Sequence, residues 1–296
     1  MVCSMKPFEN GVSLLPSPWT DTFLSLLEQV ENDLLISSPY VKRFATEKIS
    51  ETLLKKCAAI HPAVKLVTDM RPESALAGSM DLDAISALSQ KLEGFKLVHL
   101  PSVHAKVYIA DCKIAVITSG NLTEPGMRGN VEYGVALTNQ NVVNAVRCDV
   151  EAFAAIGTSI NPSDLPALAA EMTELTKLFR QYQNSTRVKA RRIFNERLEH
   201  AKLKLMKQRV IGKTLNSVFS DSIRFLLQRG PIATKDLHPL VKDLNPDFCD
   251  DSVDRVIDGV HFGKKWKHHV RIAQQSLKKR GEIRFDGKVW SLSTHA

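Results

Sequence analysis

The chain runs to 296 residues, enough for two domains with cores of their own. Its 44% apolar and 24% charged residues exclude a disordered or fibrous chain, and no apolar run reaches the length of a bilayer crossing. The net charge of +8 is unevenly spread: residues 1–166 hold 14 basic and 18 acidic side chains (−4), residues 167–296 hold 26 and 14 (+12). A basic back half behind a mildly acidic front half predicts two domains, the second facing a polyanion.

In chain order, Met1–Leu15 has no central apolar block, so no secretory signal is expected. The five cysteines (Cys3, Cys57, Cys112, Cys148, Cys249) never stand in C-x-x-C spacing. They read as reduced thiols of a cytoplasmic protein, with no metal site and no cofactor. Residues 33–41 form an apolar run halted at Ser-Pro, a buried strand entering a loop. Thr46–Ala59 has helical spacing, Val64–Thr68 is a second strand, Asp81–Leu92 a helix and Phe95–Leu100 a further strand. Three β-rich runs follow at Ala105–Ala110, Ile114–Thr118 and Val131–Thr138. Strands alternating with helices predict a layered α/β domain over 1–166, closing at the Asn161-Pro162-Ser163-Asp164 turn.

The chemistry is concentrated in Val103–Tyr133. His104-x-Lys106 is followed after four residues by Asp111 and after six more by Thr118-Ser119-Gly120-Asn121, and Glu132 stands 11 residues beyond Asn121. H-x-K-x4-D alone arises by chance in about 2% of chains this long, and fixing the Ser and Asn makes coincidence rare. On a strand, residues i and i+2 share a face, so His104 and Lys106 are expected to project together. The Ile114–Thr118 strand would deliver Ser119 and Asn121 beside them. Lys and Asn suit non-bridging phosphoryl oxygens, with an imidazole as nucleophile or proton donor. Glu132 is placed to accept a hydrogen bond from the other imidazole nitrogen. Asp111 is counted with the site as a brace of the strand turn. Tyr40 reads as a packed aromatic ahead of an edge to the site, Asp69 and Arg71 as either a surface ion pair or a lining of the substrate groove, and His99 as an ordinary strand histidine ahead of a third catalytic imidazole.

This stretch resembles the phospholipase D superfamily, whose HxK(x)4D(x)6GSxN motif it matches at His104, Lys106, Asp111, Ser119 and Asn121. Thr118 stands where the family usually has Gly, and Gly120 falls at a tolerant position. The resemblance implies a phospholipase D-like α/β/α fold and a phosphohistidine mechanism in which two motifs face each other. This chain has one. His200-Ala201-Lys202 has Lys207 where the aspartate belongs and no Ser-x-Asn downstream. A homodimer completing the active site is therefore expected.

Beyond 166, Leu168, Met172, Leu175, Phe179 and Tyr182 form a short apolar seam, expected to pack on its own domain. Residues 187–213 carry ten basic and two acidic side chains, so 167–213 reads as a basic helical linker. A small α+β domain is expected over 214–296. It has helices at Ser220–Leu227 and Thr234–Leu240 (capped by Thr234), a helical turn at Ser252–Ile257, and a helix at Lys264–Arg280. A hairpin then turns at Asp286-Gly287-Lys288. The helix buries Trp266, Val270, Ala273 and Leu277 and offers Lys264, Lys265, Lys267, Arg271, Gln274, Gln275 and Lys278 on its other faces, with Lys288 at the hairpin tip. Helices followed by a hairpin resemble the winged-helix domains of some restriction endonucleases, which implies double-stranded DNA as partner. The whole reads as a metal-independent DNA phosphodiesterase; a lipid phosphodiesterase and a non-catalytic DNA-binding dimer are the two alternatives the same residues leave open.

Overall fold

The computed structural model describes residues 11–56, 62–183 and 188–293, which leaves Cys3, Cys57 and the end of the Thr46–Ala59 helix outside them. The chain divides into two compact units, 1–202 and 203–296.

The first unit is built on an eight-stranded sheet. Its strands are β1 (Val12–Pro16), β2 (Asp33–Ser37), β3 (Ala63–Thr68), β4 (Lys96–His99), β5 (Val107–Ala110), β6 (Ile114–Thr118), β7 (Tyr133–Leu137) and β8 (Thr158–Ile160). The spatial order is β1-β7-β6-β5-β2-β3-β4-β8. β2, β3 and β4 run parallel, joined by α2 (Arg43–Lys56) and then by α3 (Pro72–Leu76) and α4 (Leu82–Lys91), as parallel strands require. β5, β6, β7 and β1 pair antiparallel, β5 and β6 across a three-residue turn, while β1, first in the chain, returns beside β7.

Alternation along β5 makes the layers. Tyr108 turns to α1 (Thr20–Gln29), where its ring meets Trp19 and Phe23. Ile109 turns the other way, into a cluster with Leu35, Ala115, Val143 and Val150, the last two from α5 (Gln140–Ile156). Asp81 caps α4 by accepting from Ala84 N at 2.9 Å, and Asn139 caps α5. Register brings Ser37, Val107, Ile117 and Val135 to one edge of the sheet. The loops leaving β2, β3 and β6, and those entering β5 and β7, therefore share that edge.

α6 (Leu165–Gln183) buries Leu168, Met172 and Leu175 and packs on α3 and α4. Phe179 and Tyr182 meet Phe194 of α7 (Val188–Arg209). The boundary expected at 166 is thus displaced to 202/203, inside α7, because the apolar seam of α6 is spent on the first unit.

The second unit packs α8 (Leu215–Leu227), α9 (Thr234–Leu244) and α10 (Lys265–Lys279) around Phe219, Ile223, Leu237, Val241, Trp266, Val270 and Leu277. A three-stranded sheet, β12-β13-β9, closes it with β9 (Ile232–Ala233), β12 (Ile283–Phe285) and β13 (Val289–Leu292). Two expectations are corrected. Thr234 does not cap α9; its Oγ1 accepts from Trp290 Nε1 at 2.8 Å. Ser252–Ile257 is not helical, because β10 (Asp254–Ile257) pairs with β11 (Val260–Lys264) across an Asp258-Gly259 turn. Both turn residues have positive φ (49° and 79°), the backbone of a tight hairpin.

Candidate active site

His104 and Lys106 lie just ahead of β5 rather than on it, at the shared sheet edge. The backbone is still extended there: Thr118 N donates to Lys106 O (3.2 Å), which brings the end of β6 alongside. Lys106 is 8% exposed while His104 is open to solvent. The ammonium donates to His104 O (2.9 Å) and stands 3.0 Å from Nδ1 and 3.3 Å from Nε2 of the same residue. Burial holds the Lys106 ammonium below the ordinary lysine range, against the opposing pull of Glu132.

The Ser119–Asn121 turn completes the edge. Ser119 Oγ donates to Glu132 Oε2 (2.5 Å) and accepts from Tyr133 N (3.1 Å). Asn121 buries its Oδ1 without a partner among the described residues, which leaves this amide uncommitted within the chain. The turn rests on an aromatic floor. Tyr108 OH donates to Gly120 O (2.9 Å), its ring stacks on Trp19 at 5.2 Å, and Trp19 Nε1 donates to Gly126 O (2.7 Å). A Cβ at Gly120 would stand 2.5 Å from Trp19 Nε1 and 2.7 Å from Gly126 O, so this position is not tolerant: only glycine fits.

An imidazole, a half-sequestered ammonium, an open amide and a carboxylate-bound hydroxyl now share one edge. The family model described as "Cardiolipin synthase, PLD-like domain" matches residues 23–153, which contain all of them. Residues 23–153 form a phospholipase D-like domain. The superfamily is one of phosphodiesterases. No curated protein matches the chain. Among solved structures it is similar to Nuc, a phospholipase D family member from Salmonella typhimurium, at 17% identity, covering 51% of this chain and 97% of that one with a TM-score of 0.42. It is also similar to NucT from Helicobacter pylori (15%, 48% and 94%, TM-score 0.39). A third is the phosphatidylserine synthase of Haemophilus influenzae (19%, 58% and 45%, TM-score 0.46).

Within the phospholipase D-like domain Asp111 and Glu132 are held by contacts of their own. Asp111 lies at the far end of β5, five residues and about 16 Å of extended chain from Lys106. It is buried at φ 50° and accepts from Asn32 N (2.8 Å), Asp33 N (2.9 Å) and Glu31 N (3.0 Å). Burial pushes its carboxyl up, but these donors and Lys113 outweigh it and hold the group below the usual aspartate range. Asp111 is a clamp on the α1–β2 loop and is outside the reacting cluster. Glu132 does not bond His104, because its oxygens are taken by Ser119 and by Asn130 Nδ2 (3.1 Å). Ser17, whose Oγ accepts from Glu132 N (2.9 Å), supports the site together with Asn130, Tyr108 and Trp19, and no motif marks any of the four. Asp69 and Arg71 engage each other through bonds of 2.6–3.0 Å, and buried His99 accepts from Met70 N. His200 lies 3.3 Å from Glu171 on exposed helix surface.

In the second unit, Lys265, Arg271, Gln275 and Lys278 are exposed on α10, and Lys288 is exposed at the β12–β13 turn. Lys267 is half-buried over the Trp266 ring, and Lys264 is engaged by Asp254 at 2.8 Å. Gln274 is corrected: it is 1% exposed and bonded to His238 Nε2 at 3.2 Å, so it does not face out.

Proposed function

We propose that this protein is a metal-independent nuclease that cleaves DNA through a phosphohistidine, with two copies of the chain completing one active site. The observation that carries the reading is the edge cluster itself, with Lys106 against His104 and the Asn121 amide open beside them. Lys106 and Asn121 hold the non-bridging oxygens, and their charge and N–H groups stabilise the crowded phosphorus in the transition state. His104 attacks phosphorus, the P–N bond forming as the P–O bond to the leaving nucleoside breaks. The imidazolium of His104 from the second copy gives its proton to the departing oxygen, a contribution of about 10²–10⁴-fold in rate. That imidazole then takes a proton from water as the water oxygen displaces His104 and restores it. In-line displacement needs the nucleophile and the acid on opposite sides of phosphorus, and each chain supplies one such imidazole. Fully exposed Val131 and largely exposed Tyr133, flanking Glu132, give the second copy apolar surface to cover.

The second unit supports DNA as substrate. Its order of helix, strand, two further helices and a two-stranded hairpin fits the winged-helix reading, with the β10–β11 hairpin inserted before α10. Arg271, Gln275 and Lys278 on α10 and Lys288 on the wing meet base edges and phosphates in this reading. Domain pairing of this kind suits restriction or phage defence. The test is plasmid cleavage in excess EDTA by the wild type and His104→Ala. Cutting by the wild type alone is expected. A metal requirement, or equal cutting by the variant, overturns the reading, and hydrolysis of phosphatidylcholine vesicles with DNA left intact moves it to lipids.

A further inference from the structure

A pocket of about 430 Å3, within the usual size of small-ligand sites, opens beside the edge cluster and is used by none of the chemistry above. Val41 forms parallel bridges to Leu122 on one side and to Met80 on the other. Lys42 N donates to Leu122 O (2.9 Å) and Asp81 N to Val41 O (2.9 Å). Three chain segments thus run abreast from the sheet edge into the pocket wall. Thr123 of that wall is two residues from Asn121 and its N donates to Asn121 O (2.8 Å), so this tight turn sets the pocket wall directly beside the motif amide.

The lining has the composition of a base site. Phe44 and Pro125 supply flat apolar walls, and Arg128 lies 4.4 Å over the Phe44 ring, stiffening it as a stacking platform. Ser79 offers a hydroxyl, and the Lys42 ammonium has no acceptor among the described residues. The charges are largely committed: Asp81 caps α4 and pairs with Arg43 of the same wall at 3.7 Å, and Glu124 pairs with Arg128 at 3.4 Å. The pocket therefore holds no concentrated charge of either sign, and suits a planar polar ring better than a second phosphate.

We propose that this pocket receives one unpaired nucleobase adjacent to the scissile phosphate. A base stacked on Phe44 inside this pocket has left its own duplex stack, with Ser79 Oγ and Lys42 Nζ at its freed edge, so the strand is single or locally unpaired where it is cut. The inference rests on the proposed phosphodiester chemistry, and its test separates the two. Ser79→Trp fills the pocket without touching the edge cluster. Binding of a single-stranded oligodeoxynucleotide is measured in the His104→Ala background, and turnover of the same strand and of bis(4-nitrophenyl) phosphate, a diester without bases, with His104 intact. Ser79→Trp is expected to raise the oligonucleotide Kd at least about tenfold, equivalent to the roughly 1.4 kcal/mol of one stacked base. Turnover of the small diester stays within about twofold. A single abasic residue stepped along the strand then removes the difference at one position only. Unchanged oligonucleotide affinity, or a small-diester rate that falls in step, overturns the pocket. Should wild type hydrolyse neither diester, the nuclease reading fails while the binding comparison still decides the pocket. Phe44→Leu repeats the comparison where Ser79→Trp does not fold.

Discussion

Replacing Asp111 separates a catalytic aspartate from a structural one. Its carboxylate takes three backbone N–H groups from Glu31, Asn32 and Asp33 at 2.8–3.0 Å, and the residue sits at φ 50°. Asp111→Asn tolerates that backbone and keeps one oxygen for Asn32 and Asp33, but turns an NH2 group toward Glu31 N. One charge-assisted bond is lost and two donors are opposed, a cost of about 2 kcal/mol. With a urea m-value of about 2 kcal/mol/M, the midpoint of the first unit's transition falls by about 1 M. Asp111→Ala strands all three donors and costs about 3–5 kcal/mol. Because the folded pKa is depressed, this stabilisation is fully present above the unfolded value near 4 and disappears as pH drops through the folded one. The wild-type and Asn curves should therefore converge in acid. Urea unfolding from pH 7 downward, with turnover measured on the folded fraction, checks both halves. Turnover lost with the midpoint unchanged would refute the reasoning.

Gly120→Ala drives a methyl into Trp19 Nε1 and Gly126 O, so turnover should drop with a loss of about 1–3 kcal/mol seen in thermal unfolding. Since burial lowers the Lys106 pKa, KM for a phosphodiester should rise with pH before the ordinary lysine range is reached; Lys106→Arg, which stays charged, should flatten that rise in a pH–KM series. Arg271→Ala should weaken DNA binding and lower the slope of log K against log salt by about one if it contacts phosphate. Gln274→Ala should instead lower stability through the His238 bond and leave the salt slope alone, as titrations at several salt concentrations would read.

What was legible followed from local patterning. β3 and β6 are short apolar runs with turn signals around them, and α10 shows its buried stripe as Trp266, Val270, Ala273 and Leu277. The His104, Lys106, Ser119 and Asn121 spacing was enough to locate one sheet edge. Other elements were hidden by competing signals. Val142, Val143, Val146 and Val150 stand at helical spacing in α5, but their β-branched side chains favour strand and compete with that period. Val253, Val256 and Ile257 stand at i, i+3 and i+4, a helical spacing that the Asp258-Gly259 turn overrides. Gln274 directly follows Ala273 of the buried stripe, and its burial depends on His238 of α9, a tertiary neighbour no spacing reveals. Asp111 carries the motif letter, but the four residues of β5 set it at the wrong end of the strand for chemistry. The aromatic floor under Gly120 joins residues 19, 108, 120 and 126, which only the fold brings together.

The most direct measurement is to mix the protein with an oligonucleotide bearing a radioactive scissile phosphate, quench within one turnover in alkali, and map the bound label. The account predicts an acid-labile, base-stable phosphoryl adduct on the peptide containing His104, absent from His104→Ala. Cleavage of the strand by the wild type with no protein-bound phosphorus at any quench time would contradict it.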